Sequence, residues 1–461
     1  MLDSLRLGNW DKRWWIYPAA CFGAVYLGYW VLETPNTGAA IVAGGGFALI
    51  CLAFVAQNPE DRTFLVRLFL GALCARCALG VFIDNYSLLR SLVGDAYTYD
   101  AFGNVLCQSW QGIGEAHNSW LAAATSLNRS GWGMLYYIAA IYYIVGQNML
   151  AAAFVTASLG ASTAVVVYKI VMLLFDHART ARTAAVLIAF SPSMIIWSSY
   201  GLKDGLIVLC LSFCALYTLK LREKIRLKDV ALLLVFLFGL YSLRHYVFMV
   251  LFVAIAGGMI LGAKKLSPTR ILQGGLLVLV IGFVFAYFGA RDVAEKNFDL
   301  KKIQSGRVWG AKAANTGFGA DVDITDTRAA ITFLPLGITY VLLAPFPWMI
   351  NSLGQVLTLP ELILWWLSFP LLIKGYWFAI RHRLKESLTI CLFTMGLTLV
   401  YALYQTNVGT AYRQRAQLYV FFFIFISVGW ELRRNAKTLK QAEQARWYEQ
   451  VRNRHTSNVP A

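Results

Sequence analysis

The chain has 461 residues, of which 58% are hydrophobic and only 14% charged, whereas a soluble domain carries roughly 25% charged residues. That balance excludes a soluble globular domain and predicts an all-α polytopic membrane protein. The formal net charge is +17, but an excess of Lys and Arg in such a chain is first a signal of topology, so no nucleic-acid partner is expected.

A crossing helix needs about 20 largely apolar residues. On that length, spans are predicted near 14–32, 38–56, 64–84, 148–174, 181–199, 205–221, 228–242, 246–262, 270–288, 360–379, 386–404 and 413–431, twelve in all. The pair around Arg244 also reads as one helical hairpin with a polar tip. Met1 to Trp15 lacks the short apolar core and small-residue cleavage site of a signal peptide, so the first apolar run is expected to stay as a span. The eight cysteines fall almost wholly in apolar runs, and Cys74 and Cys77 form a C-x-x-C beside Arg76 with no second pair. That pattern reads as core packing before redox or metal chemistry.

Basic turns set the orientation. Those holding Arg179 and Arg182, Lys220 to Lys228, Lys264 to Arg270, and Arg381 to Lys385 are expected on the cytoplasmic side, as are both termini. This holds only if two further apolar segments do not cross. Trp132 to Val145 is too short to span, and Ile331 to Ile350 carries Pro335, Gly337, Pro345 and Pro347, which bend or interrupt a helix. Both are expected as outer-face juxtamembrane segments. The polar interruptions at 85–147, 198–204, 242–246, 290–359 and 405–413 then share one side. The chain divides into two N-terminal spans (1–63), a module with a large outer loop at 85–147 (64–222), a C-terminal membrane region with an outer loop at 290–359 (223–431), and a basic cytoplasmic tail (432–461) drawn to anionic lipid.

Several polar residues in this apolar setting are candidates for chemistry. Asp95 and Asp100, in Gly94-Asp95-Ala96-Tyr97-Thr98-Tyr99-Asp100, offer a carboxylate for general-base work, although Asp95 also fits a helix N-cap. Five residues apart on a helix, the two point about 140° from each other. Lys203 would meet a phosphate and Asp204 a sugar hydroxyl or a metal, or the two form a local ion pair at a helix mouth. Arg244 suits bidentate contact with a phosphate, or snorkels to the interface; His245 is a base or an interfacial hydrogen-bonding group. Arg413 and Arg415 enter a span on the outer side, against the topology preference, which predicts an anionic partner such as a lipid-linked phosphate or pyrophosphate. Trp348 reads as an interfacial anchor. No phosphate loop, H-E-x-x-H, G-x-S-x-G or paired C-x-x-C is present. The five histidines are scattered; no metal ligand set is indicated, a carboxylate-bound divalent ion stays open, and the cofactor is unknown.

The order of these features resembles the GT-C membrane glycosyltransferases, specifically the bacterial relatives of protein O-mannosyltransferases and of the lipid A aminoarabinose transferase. The features are the acidic first outer loop, an aromatic interfacial helix ending Val145-Gly146-Gln147-Asn148, a small-residue span, a basic turn, Phe190-Ser191-Pro192-Ser193 with Trp197, and Leu202-Lys203-Asp204. The resemblance covers residues 64 to 222 and returns weakly at Gly409 to Arg415. It implies a polyprenyl-phosphate sugar donor and an inverting transfer outside the cytoplasm. By the same resemblance the catalytic base maps onto Asp95 with Asp100 beside it, the second-loop acidic residue onto Asp204, and a donor-phosphate contact onto Arg413 or Arg415. Two extra spans before residue 64 and the lack of a large soluble domain after the last span depart from the pattern and leave the acceptor open.

The function expected is transfer of a sugar to a cell-envelope polysaccharide, glycolipid or protein at the outer face of a bacterial cytoplasmic membrane. An O-antigen or exopolysaccharide polymerase or ligase acting on undecaprenyl-pyrophosphate-linked glycan is the alternative; it would depend on Arg413 and Arg307 and tolerate loss of Asp95. A lipid-linked oligosaccharide transporter is the third reading, and it would call for polar residues at mid-membrane and repeat symmetry.

Overall fold

A computed structural model describes residues 37–57, 61–86, 93–113, 121, 124–126, 129–262, 268–290, 292–293, 299–312, 316–319, 321–350, 356 and 358–456. Seventeen α-helices and no strand occur among the described residues. Seven of the helices are long and apolar enough to cross a membrane, as an all-α polytopic membrane protein requires. These are α1 (Thr37–Ala56), α2 (Arg62–Asn85), α5 (Met149–Phe175), α8 (Lys203–Glu223), α14 (Leu359–His382), α15 (Leu384–Tyr404) and the first half of α17 (Ala416–Thr456). The span predicted at 14–32 lies outside the described residues.

Other predicted spans are shorter apolar helices. The pair around Arg244 is α9 (Leu227–Leu243) and α10 (His245–Leu261), joined by Arg244 itself in extended conformation; α11 (Pro268–Tyr287) follows. The run predicted at 181–199 is broken into α6 (Ala178–Phe190) and the one-turn α7 (Pro192–Ile196). Pro192 has no N–H to continue the ladder but suits the first position of a new helix.

The middle of the molecule is α5. Its Ala, Gly, Ser and Val side chains are buried almost all round, and small residues let neighbouring backbones approach closely. Helices α1, α2, α6 and α8 surround it. The Asn148 side chain accepts from the Ala151 N–H at 3.0 Å and caps its start. At the other side of the bundle, α14 lies against α17. A Cβ on Gly375 would come within 1.8 Å of the Phe425 carbonyl oxygen, and one on Gly429 within 2.0 Å of that of Leu371. Only glycine permits that seam.

The two segments expected to stay at the surface are also helical: α4 (Trp132–Val145), packed on α3 (Gly94–Trp110), and α13 (Thr327–Leu343). With α12 (Leu300–Lys312), α13 encloses a second small core of Ile303, Phe318, Ile324, Ala330, Phe333, Ala344 and Val408. This outer piece is tied to the strap before α16 (Val408–Gln414) by Phe318 N–H to the Thr406 carbonyl at 2.8 Å and Val408 N–H to the Thr316 carbonyl at 3.2 Å. It thereby fixes the approach to Arg413.

Candidate functional site

Four separate corners of the chain meet at one end of the helical bundle. Asp95 stands in the first turn of α3, Asp204 in the first turn of α8, Arg244 between α9 and α10, and Arg413 near the end of α16. Carboxylates in the first turn complement the positive end of a helix, so α3 and α8 each favour an acid where they begin. The Arg413 guanidinium spans the two. Its Nη1 donates to Asp95 Oδ2 at 2.6 Å, while its Nε donates to Asp204 Oδ2 at 2.6 Å. The other oxygen of Asp204 faces Arg244 Nη2 at 3.3 Å.

Burial differs sharply across this cluster. Asp204 is fully buried and Arg244 nearly so, whereas the side chain of Asp95 is 53% exposed. The inner carboxylate therefore holds two arginines in place, and the outer one faces the solvent. Burial works against the charge of Arg413, but the carboxylates of Asp204 and Asp95 outweigh it and raise its pKa above the ordinary value. Trp197 closes one side, with its ring 5.5 Å from the Arg413 guanidinium, and Tyr246 lies 5.8 Å from that of Arg244. Lys203 sits at the rim. Its ammonium lies 5.9 Å from the Tyr99 ring, and a Cβ on Gly131, which has φ of +96°, would come within 3.1 Å of it. Three cations then surround two anions, so the site carries a net positive charge suited to a phosphate.

The remaining sequence candidates lie elsewhere. Asp100 accepts from Tyr142 Oη at 2.5 Å and from Gln147 Nε2 at 3.2 Å, pinning α3 to α4 and the turn beyond it. His245 is buried, its ring stacked on Tyr241 at 4.6 Å. Arg415 is fully buried, with Nε donating to the Val341 carbonyl at 2.7 Å and Nη2 to that of Ala344. Arg307 is likewise buried and serves the carbonyls of Leu403 and Gly319 at 2.7 and 2.9 Å. Both arginines fasten backbone of the outer piece. Among the described residues, no three His, Cys, Asp or Glu side chains gather as a metal site would need, and the space between Asp95 and Asp204 is filled by a guanidinium.

Two residues that the sequence did not single out build the wall behind the cluster. The break at Pro192 frees the carbonyls of Ile188 and Ala189, and it leaves the Ser193 N–H without a helical partner. Arg76, buried in α2, donates to Ala189 O at 2.8 Å, to Ile188 O at 3.4 Å and to Ser198 Oγ at 2.8 Å. Glu361, buried in the first turn of α14, accepts from the Ser193 N–H at 3.1 Å. One cation and one anion thus satisfy the two sides of the break. The only sequence signal for either is a charged residue inside an apolar helix.

Residues 131–288 match the model of the family described as dolichyl-phosphate-mannose-protein mannosyltransferase. The matched stretch runs from Gly131 to Phe288 and contains Lys203, Asp204 and Arg244. Comparison with curated proteins finds no match. The match covers about a third of the chain; together with the all-helical membrane architecture it supports a membrane glycosyltransferase of the GT-C type.

Proposed function

We propose that the protein moves a sugar from a polyprenyl-phosphate donor to a hydroxyl of a cell-envelope acceptor, at the outer face of a bacterial cytoplasmic membrane. The observation that carries this reading is the bridge of Arg413 between exposed Asp95 and buried Asp204. It puts a carboxylate open to solvent beside a cluster of cations held in place from below. In the proposed step the acceptor oxygen attacks the anomeric carbon and its proton passes to Asp95. The bond from that carbon to the phosphate oxygen breaks, and the configuration inverts. Arg413, Arg244 and Lys203 stabilise the charge that grows on the departing phosphate. The polyprenyl chain would lie in the surrounding lipid.

Transfer should be assayed with purified protein, a set of polyprenyl-phosphate hexoses and membrane extract as acceptor. Asp95→Asn is expected to lower the rate by about 10²- to 10⁴-fold, the usual worth of a general base, while still binding polyprenyl monophosphate. Arg413→Ala is expected to weaken binding, with Arg244 and Lys203 leaving a residual affinity, and to lose transfer. Full activity of the Asp95 variant would remove the assignment. If it came with an essential Arg413, the chemistry would move to pyrophosphate-linked glycan, as in a polymerase or ligase.

A further inference from the structure

Glu361 touches three segments that meet at the back of the Asp95–Asp204–Arg413 cluster. Its Oε1 accepts from Ser191 Oγ at 2.6 Å and from the Ser193 N–H at 3.1 Å. Its Oε2 accepts from Ser193 Oγ and from Tyr412 Oη, both at 2.6 Å. Ser193 Oγ and Tyr412 Oη also lie 3.1 Å apart, which closes the group into a ring. All of it is buried apart from part of Ser191.

The consequence lies a few residues further along each line of contacts. Tyr412 directly precedes Arg413. Ser193 is the second residue of α7, which leads within about a turn to Trp197, the ring against the Arg413 guanidinium. The Trp197 carbonyl in turn accepts from the Gly205 N–H at 3.2 Å, next to Asp204. One carboxylate therefore fixes both the backbone that carries Arg413 and the wall on which its side chain rests. Burial, and then the adjacent carboxylate, raise the Tyr412 phenol well above its ordinary pKa, so it remains a donor to Glu361. Hydrogen bonds to a buried carboxylate are the strong kind. The donors here come from outside the helix that carries Glu361, at sequence separations of 168 and 170 on the Ser191–Ser193 side and 51 at Tyr412. An acid at the start of a helix needs none of these to be stable.

We infer that Glu361 is a positioning residue for the transfer reaction: through Tyr412 and the Ser191–Ser193 turn it sets Arg413 at the distance and angle at which it grips the donor phosphate. This rests on the reading of Arg413 as a donor-phosphate contact.

The test is the affinity of detergent-purified full-length protein for a short-chain polyprenyl monophosphate, read by titration calorimetry, with melting temperature recorded beside it. Tyr412→Phe removes one hydroxyl and leaves the ring. Glu361→Gln keeps the shape but removes the charge; its oxygen can still accept from the Ser193 N–H, which lies 3.1 Å from both carboxylate oxygens, but its amide nitrogen cannot accept from Ser191 Oγ in one orientation or from Ser193 Oγ and Tyr412 Oη in the other. Each is expected to weaken binding roughly tenfold, the scale of one hydrogen bond to a charged group. The deciding measurement is the double-mutant cycle. In an Arg413→Ala background, where Arg244 and Lys203 still attract phosphate, neither change should weaken binding further. Losses that simply add would mean that Glu361 supports the fold at large, and they would overturn the inference, as would wild-type affinity in both single variants. If Glu361→Gln does not fold, Tyr412→Phe and its cycle decide alone. Unchanged binding in Arg413→Ala would instead remove the reading of Arg413, a result distinct from the failure of Glu361 alone.

Discussion

Two arginines two residues apart do opposite jobs here. At about 100° per residue, Arg413 and Arg415 project some 200° from each other, so one meets Asp95 and Asp204 while the other turns inward to the carbonyls of Val341 and Ala344. The difference is testable. Arg415→Lys cannot reach both carbonyls with one ammonium, so it should lower the melting temperature while the folded fraction binds polyprenyl monophosphate with wild-type affinity. A loss of affinity at unchanged melting temperature would place Arg415 in the site. Asp204 should behave differently again. It is fully buried against two arginines, and removing one partner of a buried pair costs roughly 3 to 5 kcal/mol. Asp204→Asn is therefore expected to destabilise the protein by that order in denaturant titration, as well as to abolish transfer; normal stability would show that the arginines are held by other groups. A third carboxylate, Asp61 just before α2, sits at the opposite end of the bundle. The hydrogen bond from Arg182 is the main cause of its lowered pKa; burial opposes this, and Tyr168 assists. Its contribution is present above the unfolded value of about 3.9 and is lost as the pH falls through the lower folded value. Wild type should thus melt higher than Asp61→Asn near neutral pH, and the two curves should begin to converge only below about pH 4, meeting once the pH has fallen through the lowered folded value. A gap that persisted in acid would mean that the charge of Asp61 is not what stabilises that corner.

At the scale of elements, α14 packs tightly on α17, and the contact depends on two glycines. A methyl group at position 429 would overlap the Leu371 carbonyl, which is backbone and has no rotamer to yield. Gly429→Ala should destabilise by about 1 to 3 kcal/mol through overpacking, and since Glu361 begins α14, polyprenyl-phosphate affinity should fall with it. An unchanged melting temperature would show that the seam opens at no cost. Much of the helix layout was readable from apolar run length, because a spanning helix must satisfy its backbone internally and so leaves long uninterrupted runs. The outer carboxylates and the arginines stood out for the converse reason, that charge in such a setting is costly. What could not be read was pairing. Glu361 looks like an ordinary acid in a first turn, and its partner Ser191 lies 170 residues away in sequence. Arg76 is hidden beside a C-x-x-C, and nothing local shows that it serves carbonyls freed by Pro192. The 181–199 run was apolar enough to suggest one span, but the proline at 192 and the polar contacts waiting on either side make it a helix, a break and a single turn.

The whole molecule is polar at two ends with an apolar body between. Helix α8 runs between them: Asp204 lies in its first turn and Arg222 in its last, roughly 27 Å apart along the axis at 1.5 Å rise per residue. Around Arg222 gather the carbonyls of Glu386, Lys385 and Gly262, drawn from the turns rich in Lys and Arg. On the positive-inside rule that end is expected in the cytoplasm, which would place Asp95, Arg413 and the outer piece of α12 and α13 on the other side. Labelling with a membrane-impermeant maleimide tests the assignment directly. Native background should be low, since six of the seven described cysteines are buried and Cys74 is partly so; Cys21 can be replaced by Ser in both probes. Trp309 on α12 is 74% exposed, so Trp309→Cys is expected to label in intact cells, and Lys224→Cys, exposed beyond the end of α8, only after permeabilisation. The reverse pattern would turn the cluster toward the cytoplasm, where the acceptor would have to be an intracellular molecule, and transfer at the outer face would be ruled out whatever Asp95 and Arg413 prove to do.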